Sequence, residues 1–201
     1  RFDPGYVQMK KEIQSGKYGE VIQIRAVSRN VSSPGATTAG MISNSAVHEF
    51  DIARWLLEEE FTTVSVAYAK KTSNANPDIQ DAISILAHTE SGVLMTVDNC
   101  ANSTYGYEVG MEVIMESASL VIENLGDLTI IKDFYLPKRK SGKLYKDWMG
   151  RFKPAYIAEL NAFVESIKKR KLHPNFATAN DGLAASIACG LGVKSLKGYK
   201  R

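Results

Sequence analysis

The side chains best suited to chemistry between positions 44 and 55 are Asn44, His48, Asp51 and Trp55. At about 3.6 residues per turn, these separations fall close to whole turns, so a helix sets all of them on one stripe. An imidazole beside an amide and a carboxylate can take a proton from a substrate hydroxyl. A helix starting near Asn44 would also hold His48 at its positive dipole end, which favours the neutral ring a base needs. The competing reading is structural: a packed, hydrogen-bonded core histidine, with Asp51 and Arg54 as an ordinary ion pair. Two further clusters stand out. Asn102, Tyr105 and Tyr107 lead into a strand, and alternation across Gly106 sets both rings on one side. Phenols and an amide suit recognition of a polyol; otherwise they are aromatic residues packed on the core. Arg29-Asn30 closes another strand, where side chains often reach a site.

Other chemistries are missing from the sequence. It has no G-x-G-x-x-G and no P-loop, so it makes no standard dinucleotide or phosphate site of its own. Gly16-Lys17-Tyr18-Gly19 reads as a turn. Cys100 and Cys189 form no close pair, and read as small apolar residues rather than a disulfide or zinc site. The formal net charge is +3, from 25 basic and 22 acidic residues, too small and scattered for nucleic acid. No apolar run reaches the roughly 18 residues of a membrane span. No cationic leader with an apolar core opens the chain, which reads as a cytoplasmic protein. Apolar residues make up 44%, which with the low net charge excludes intrinsic disorder.

The elements that must position these residues follow from periodicity. Asp3 as N-cap and Pro4 at the first helical position open a helix with Tyr6, Met9 and Ile13 on one face, ended by Ser15-Gly16. Residues 20–29 alternate as a strand. Residues 30–43 read as a loop and 44–57 as a helix followed by solvated Glu58, Glu59 and Glu60. Strands are predicted over 61–70, 80–88, 92–99, 107–115, 120–122 and 128–131, with a hairpin turn at Ser91-Gly92. Residues 137–142 read as a basic surface loop. Helices are predicted over 154–169, with Leu160, Phe163, Val164 and Ile167 on one face, and over 180–197, Ala-rich and suited to close packing. Short turns between strands imply a mainly antiparallel or mixed sheet. Segregation of strands from helices implies an α+β fold, one large open sheet with helices on one face. Several strands read as apolar on both sides, so a second subunit is expected over the other face.

Arg1-Phe2-Asp3-Pro4-Gly5-Tyr6, the strand end Arg29-Asn30, His48-Glu49-Phe50-Asp51 through Arg54-Trp55-Leu56, and Tyr105-Gly106-Tyr107 together resemble the Gfo/Idh/MocA oxidoreductase family. The resemblance covers nearly the whole chain, in order and with comparable spacings. The H-E-x-D…R-W-L motif is fairly specific to the family, and Tyr-Gly-Tyr narrows it toward the inositol 2-dehydrogenases. The resemblance implies that residues 1–201 are a single substrate-binding and oligomerisation domain that follows an N-terminal Rossmann domain absent from this sequence. It implies oxidation of a ring hydroxyl to a ketone with NAD or NADP, bound mainly by the missing domain, and homodimers or homotetramers formed through the open sheet. His48 would be the base, with Asn44 beside it, and Asn30, Asp51 and Tyr107 would hold substrate hydroxyls.

Two departures from the family pattern bear on the chemistry. The family's catalytic lysine, in a Glu-Lys-Pro motif, belongs to the Rossmann domain. The inositol enzymes place Asp where this chain has Asn44. An amide is isosteric but carries no charge, so it supports a histidine cation much less than a carboxylate does. A non-enzymatic polyol-binding or oligomerisation module, or a relative acting on another sugar, are the alternative readings.

Overall fold

The computed structural model describes residues 1–71, 73–77, 79–122, 128–132 and 145–196. Helix α1 (Pro4–Gln14) starts as its sequence dictates: Asp3 is extended, and its carboxylate accepts from the backbone N–H groups of Gly5 and Tyr6. Strand β1 (Val21–Arg29) leads to one α-helical turn, α2 (Thr38–Gly40), then a π-helical segment (Met41–Ala46) that runs directly into α3 (Val47–Leu57). Strands β2 (Phe61–Tyr68), β3 (Ile83–Thr89), β4 (Leu94–Cys100), β5 (Glu108–Met115), β6 (Ser119–Ile122) and β7 (Leu128–Lys132) follow. Helices α4 (Trp148–Lys169) and α5 (Ala179–Leu196) complete the described chain. The segment 137–142, read from sequence as a loop, lies outside the described residues.

The strands form one sheet in the order β2-β3-β4-β1-β5-β6-β7. Among the described strands only β1 and β4 pair in parallel; every other neighbouring pair is antiparallel. A parallel pair requires a long crossover, and here the helical run 38–57 and the β2-β3 hairpin supply it. The crossover brings Ser28 opposite Asn99 and Arg29 opposite Cys100 at the carboxyl ends of the two strands. On the inner face, Ile24, Ala26, Ile85, Met95, Val97 and Val113 pack against Phe50, Ala53 and Leu56 of α3 in one core. The outer face mixes Val27, Leu86 and Leu94 with cross-strand ion pairs, Arg29 to Glu108 at 2.8 Å and Arg25 to Glu112 at 3.6 Å.

Helix α4 begins earlier than its proline implies. Proline favours the first helical position, which places the predicted start at Pro154. Asp147 caps the helix instead, accepting from Gly150 N–H at 3.1 Å, and Pro154 sits inside it. Its apolar stripe of Leu160, Phe163, Val164 and Ile167 is exposed in this chain. In α5 the small residues face inward, as the sequence implies: Ala185, Ala188, Cys189 and Gly192 are buried, whereas Leu183 and Ile187 are exposed. A Cβ at Gly192 would lie 3.2 Å from Ile42 and 3.3 Å from Val64. Gly192→Val is therefore expected to lower stability by about 1–3 kcal/mol through overpacking. The urea midpoint should fall at constant slope; an unchanged midpoint would refute this packing account.

Candidate functional site

The helix carrying the central motif does not start at Asn44. Thr37 caps it, its hydroxyl accepting from Gly40 N–H at 2.9 Å, and the chain stays helical from Thr38 to Leu57. Asn44 and Ser45 lie in the π-helical segment, an irregularity that frequently marks functional sites. His48 thus has no free helix end beside it, and the dipole argument for a neutral ring fails. The direction nevertheless holds. The His48 ring opens to a cavity, but the walls around it displace bulk water and lower its pKa; nearby Asp51 opposes this.

That cavity has a volume of about 700 Å³, lies at the carboxyl end of the β1–β4 pair, and is lined by Asn30, Asn44, His48, Asp51 and Tyr107. These residues come from the end of β1, the π-helical segment, α3 and the approach to β5. Trp55 leaves the stripe: it lines a separate depression, where the Lys10 ammonium sits 4.7 Å from its ring centroid.

Asp51 does not pair with Arg54. Arg1 holds it with two bonds, Nε to Oδ2 at 2.9 Å and Nη2 to Oδ1 at 2.7 Å, and also reaches Asp181 at 3.0 Å. Arg54 instead clasps Glu60, with Nε to Oε2 at 2.6 Å and a second bond from Nη2 to Oε1. Glu60 is therefore paired rather than simply solvated. Thr178, through hydroxyl and backbone N–H, and then Arg1 hold Asp181 well below the usual carboxylate range.

Tyr105 and Tyr107 do not share a side. Tyr105 belongs to the turn that precedes the strand, is exposed, and joins Arg29 and Glu108 on the protein surface. Tyr107 is buried, and burial first and Glu49 second push its phenol up to about 12. Alternation begins only after Gly106, whose N–H donates to Ser103 C=O at 3.2 Å and closes the turn that holds Tyr105. Asn102 is also absent from the cavity lining. Its Nδ2 donates to Asp81 at 2.9 Å and its Oδ1 accepts from Ser33 N–H at 3.3 Å, which pins the loop beyond β4.

The cavity also uses residues that the sequence reading passed over. Trp148, Phe152 and Tyr156 form a wall at helical spacing on α4. Their stripe was hidden because the predicted helix began after two of them. Glu49 lines the cavity while almost wholly buried, and burial drives its carboxyl up to about 7. The available signal was a carboxylate flanked by Ala46, Phe50 and Ala53 on an otherwise apolar helix side.

A helix N-terminus is the usual phosphate cradle; among the described residues those of α1, α4 and α5 each carry a carboxylate, from Asp3, Asp147 and Asp181, whereas the helical run 38–57 starts on Thr37. No group of three or more His, Cys, Asp or Glu among the described residues is arranged to hold a metal. No helix among them is long and apolar enough to cross a membrane.

An open-sheet α+β domain with a polar, aromatic-walled cavity of small-molecule size is the class that fold and site define. A family model described as the GFO/IDH/MocA C-terminal domain matches residues 6–121, and the chain belongs to that family. It is 36% identical over 197 residues to inositol 2-dehydrogenase 2 of Paenarthrobacter aurescens, covering 98% of this chain and 58% of the relative. It is 32% identical over 196 residues to an inositol 2-dehydrogenase/D-chiro-inositol 3-dehydrogenase of Shouchella clausii, covering 97% and 55%. Its fold matches myo-inositol dehydrogenase from Lactobacillus casei, solved with NAD(H) and myo-inositol, at a TM-score of 0.86 and 26% identity, covering 100% of this chain and 58% of that one. The chain thus spans little more than half the length of the curated relatives it matches.

Proposed function

We propose that this chain is the substrate-binding and oligomerisation domain of an NAD(P)-dependent inositol 2-dehydrogenase, which oxidises a ring hydroxyl to a ketone. One observation carries the reading: Asn30 and Tyr107, distant in sequence from the helical trio Asn44, His48 and Asp51, join that trio in lining a single cavity. Neutral His48 accepts the proton of the reacting hydroxyl. Asn30, Asp51 and Tyr107 hold the neighbouring hydroxyls, with Asp51 oriented for this by its two-point grip on Arg1. The aromatic wall of α4 faces the C–H surface of the ring. Asn102 and Tyr105 take no part. NAD or NADP belongs to a Rossmann domain, a division supported by the absence of a G-x-G-x-x-G from this sequence. The outer sheet face is the proposed surface for homodimers or homotetramers.

Asn44 favours a second reading, a relative acting on another sugar, because it deprives His48 of the carboxylate found in the inositol enzymes. Both readings meet the same assay. Joined to a Rossmann domain, the chain should reduce NAD or NADP with an inositol; alone, it should bind the polyol without turnover. Turnover only with a non-inositol sugar would select the second reading. No turnover with any polyol would remove both, and turnover by residues 1–201 alone would overturn the division of labour.

A further inference from the structure

One guanidinium is shared between two carboxylates at the edge of the cavity. Arg1 donates to Asp51 through Nε and Nη2, and Nη2 also donates to Asp181 Oδ1 at 3.0 Å. Its hydrogens lie in one plane, so acceptors on α3 and α5 together fix the direction of the guanidinium as well as its place. The Arg1 side chain is only 7% exposed, and a cation so placed depends on anionic partners. Asp181 is itself fastened. The backbone N–H and the hydroxyl of Thr178 both donate to its Oδ2 at 2.7 Å, and Asp181 N–H returns to Thr178 Oγ1 at 3.3 Å. This reciprocal cap at the start of α5 occupies Oδ2 and leaves Oδ1 for Arg1. Arg54 stands off at 3.9 Å from that oxygen and is engaged by Glu60. Asn175 Nδ2 pins the Arg1 main chain, donating to its C=O at 3.1 Å. Asp51, by contrast, accepts from Arg1 alone among the described residues. Arg1 and Asp51 line the cavity, whereas Asp181 lines the separate depression that holds Trp55.

We propose that Asp181 is a positioning residue that acts through Arg1: by fixing the guanidinium it sets the direction of the Asp51 carboxylate, and so selects which arrangement of ring hydroxyls the cavity accepts. The selection rests on the reading of the cavity as a polyol site; the positioning of Arg1 does not. A carboxylate held at two points offers the lone pairs left on its oxygens, and hydrogen bonds to them favour the carboxylate plane. Turning that plane moves the acceptor directions off one pattern of hydroxyls and toward another. Inositol stereoisomers differ in this respect, the direction of a hydroxyl on an otherwise equal ring. A site built to pair hydroxyls rejects the wrong isomer because the mismatch leaves a polar group without a partner. Without Asp181, Arg1 and Asp51 would keep their two bonds but could swing as a pair, and the preference would fade.

The test uses Asp181→Asn, whose amide oxygen can still accept from Thr178 while the charge that holds Arg1 is gone. In ligand-free protein, exchange of the Arg1 Nε–H with water, followed by NMR, should quicken about 10-fold, the scale of one charge-assisted hydrogen bond. An unchanged rate would overturn the positioning. Calorimetry with myo-inositol and scyllo-inositol then reads the selection. The ratio of the two affinities should shrink about 5-fold toward one in Asp181→Asn, at unchanged stoichiometry. Equal affinities in the unaltered chain would overturn the selection. A lowered stoichiometry with the ratio kept would make Asp181 a structural residue and overturn the proposal. In an Arg1→Met background, Asp181→Asn should change the ratio no further, because its effect passes through the guanidinium; a second change of the same size would overturn that route. No binding of either isomer by the unaltered chain, with the Arg1 exchange response intact, would support the positioning and count against the polyol reading instead.

Discussion

His48→Ala, in a protein that joins this chain to a Rossmann domain, lowers turnover by about 10²-fold or more, the scale of a lost general base. Polyol affinity should fall far less, because the group that accepts the proton acts mainly in the transition state. The pH profile carries the second half of the expectation. Crowding by the cavity walls lowers the His48 pKa from 6.5, with Asp51 opposing. A base works when unprotonated, so turnover should be full above that range and decline as pH falls through a midpoint below 6.5. His48→Ala should lack this acid limb. His48 is solvent-accessible in the cavity, so the alanine variant leaves the core intact, and a loss of turnover reports on chemistry rather than folding. Unchanged turnover, or an acid limb that survives the substitution, would remove the histidine from its role.

Local signals make much of this site legible in the sequence. Asp3-Pro4 specifies a helix start by itself, because a carboxylate cap and a proline at the first position act within one turn. The spacing of Asn44, His48 and Asp51 survives the π-helical irregularity, and all three line the cavity. What failed depended on partners far away in sequence. Asp51 has Arg54 one turn along, yet its partner is Arg1 on another segment. The tyrosines of Tyr105-Gly106-Tyr107 are separated by a turn closed from Gly106 N–H to Ser103 C=O, which alternation alone does not reveal. Pro154 hid the beginning of α4, and with it the aromatic wall. Glu49 is the most instructive case. Its surroundings in sequence mark it as a charge out of place, but only the parallel pairing of β1 with β4 brings Ser28 and Asn99 together to meet Ser45, next to the cavity that Glu49 lines.

Asp3 carries the largest expected effect on stability. Its carboxylate does two jobs: it caps α1 through Gly5 N–H at 3.0 Å, and its Oδ2 receives Arg151 Nη1 at 2.5 Å. Both partners are buried, with side-chain exposures of 5% for Asp3 and 0% for Arg151. Arg151 already has two nitrogens, Nε and Nη2, without partners among the described residues. Asp3→Ala would therefore strand a fully buried cation, at a cost of about 3–5 kcal/mol, with the lost cap adding to it. Arg151→Met removes the charge instead of orphaning it. Asp3 keeps its amide donors on α1, and a long apolar side chain fills much of the vacated space, so the loss should be about 1–2 kcal/mol smaller or more. Urea unfolding of the two variants measures the asymmetry directly. Equal destabilisation would mean that the pair is worth its mutual attraction and nothing more. The site should register the same difference. The Asp3–Arg151 bond ties α4, with its wall of Trp148, Phe152 and Tyr156, to α1, which contributes Tyr6 to the cavity. Both substitutions cut this tie, but only Asp3→Ala also leaves a buried cation beside the wall, so it should weaken polyol binding more than Arg151→Met does, although neither side chain is proposed to hold a substrate hydroxyl.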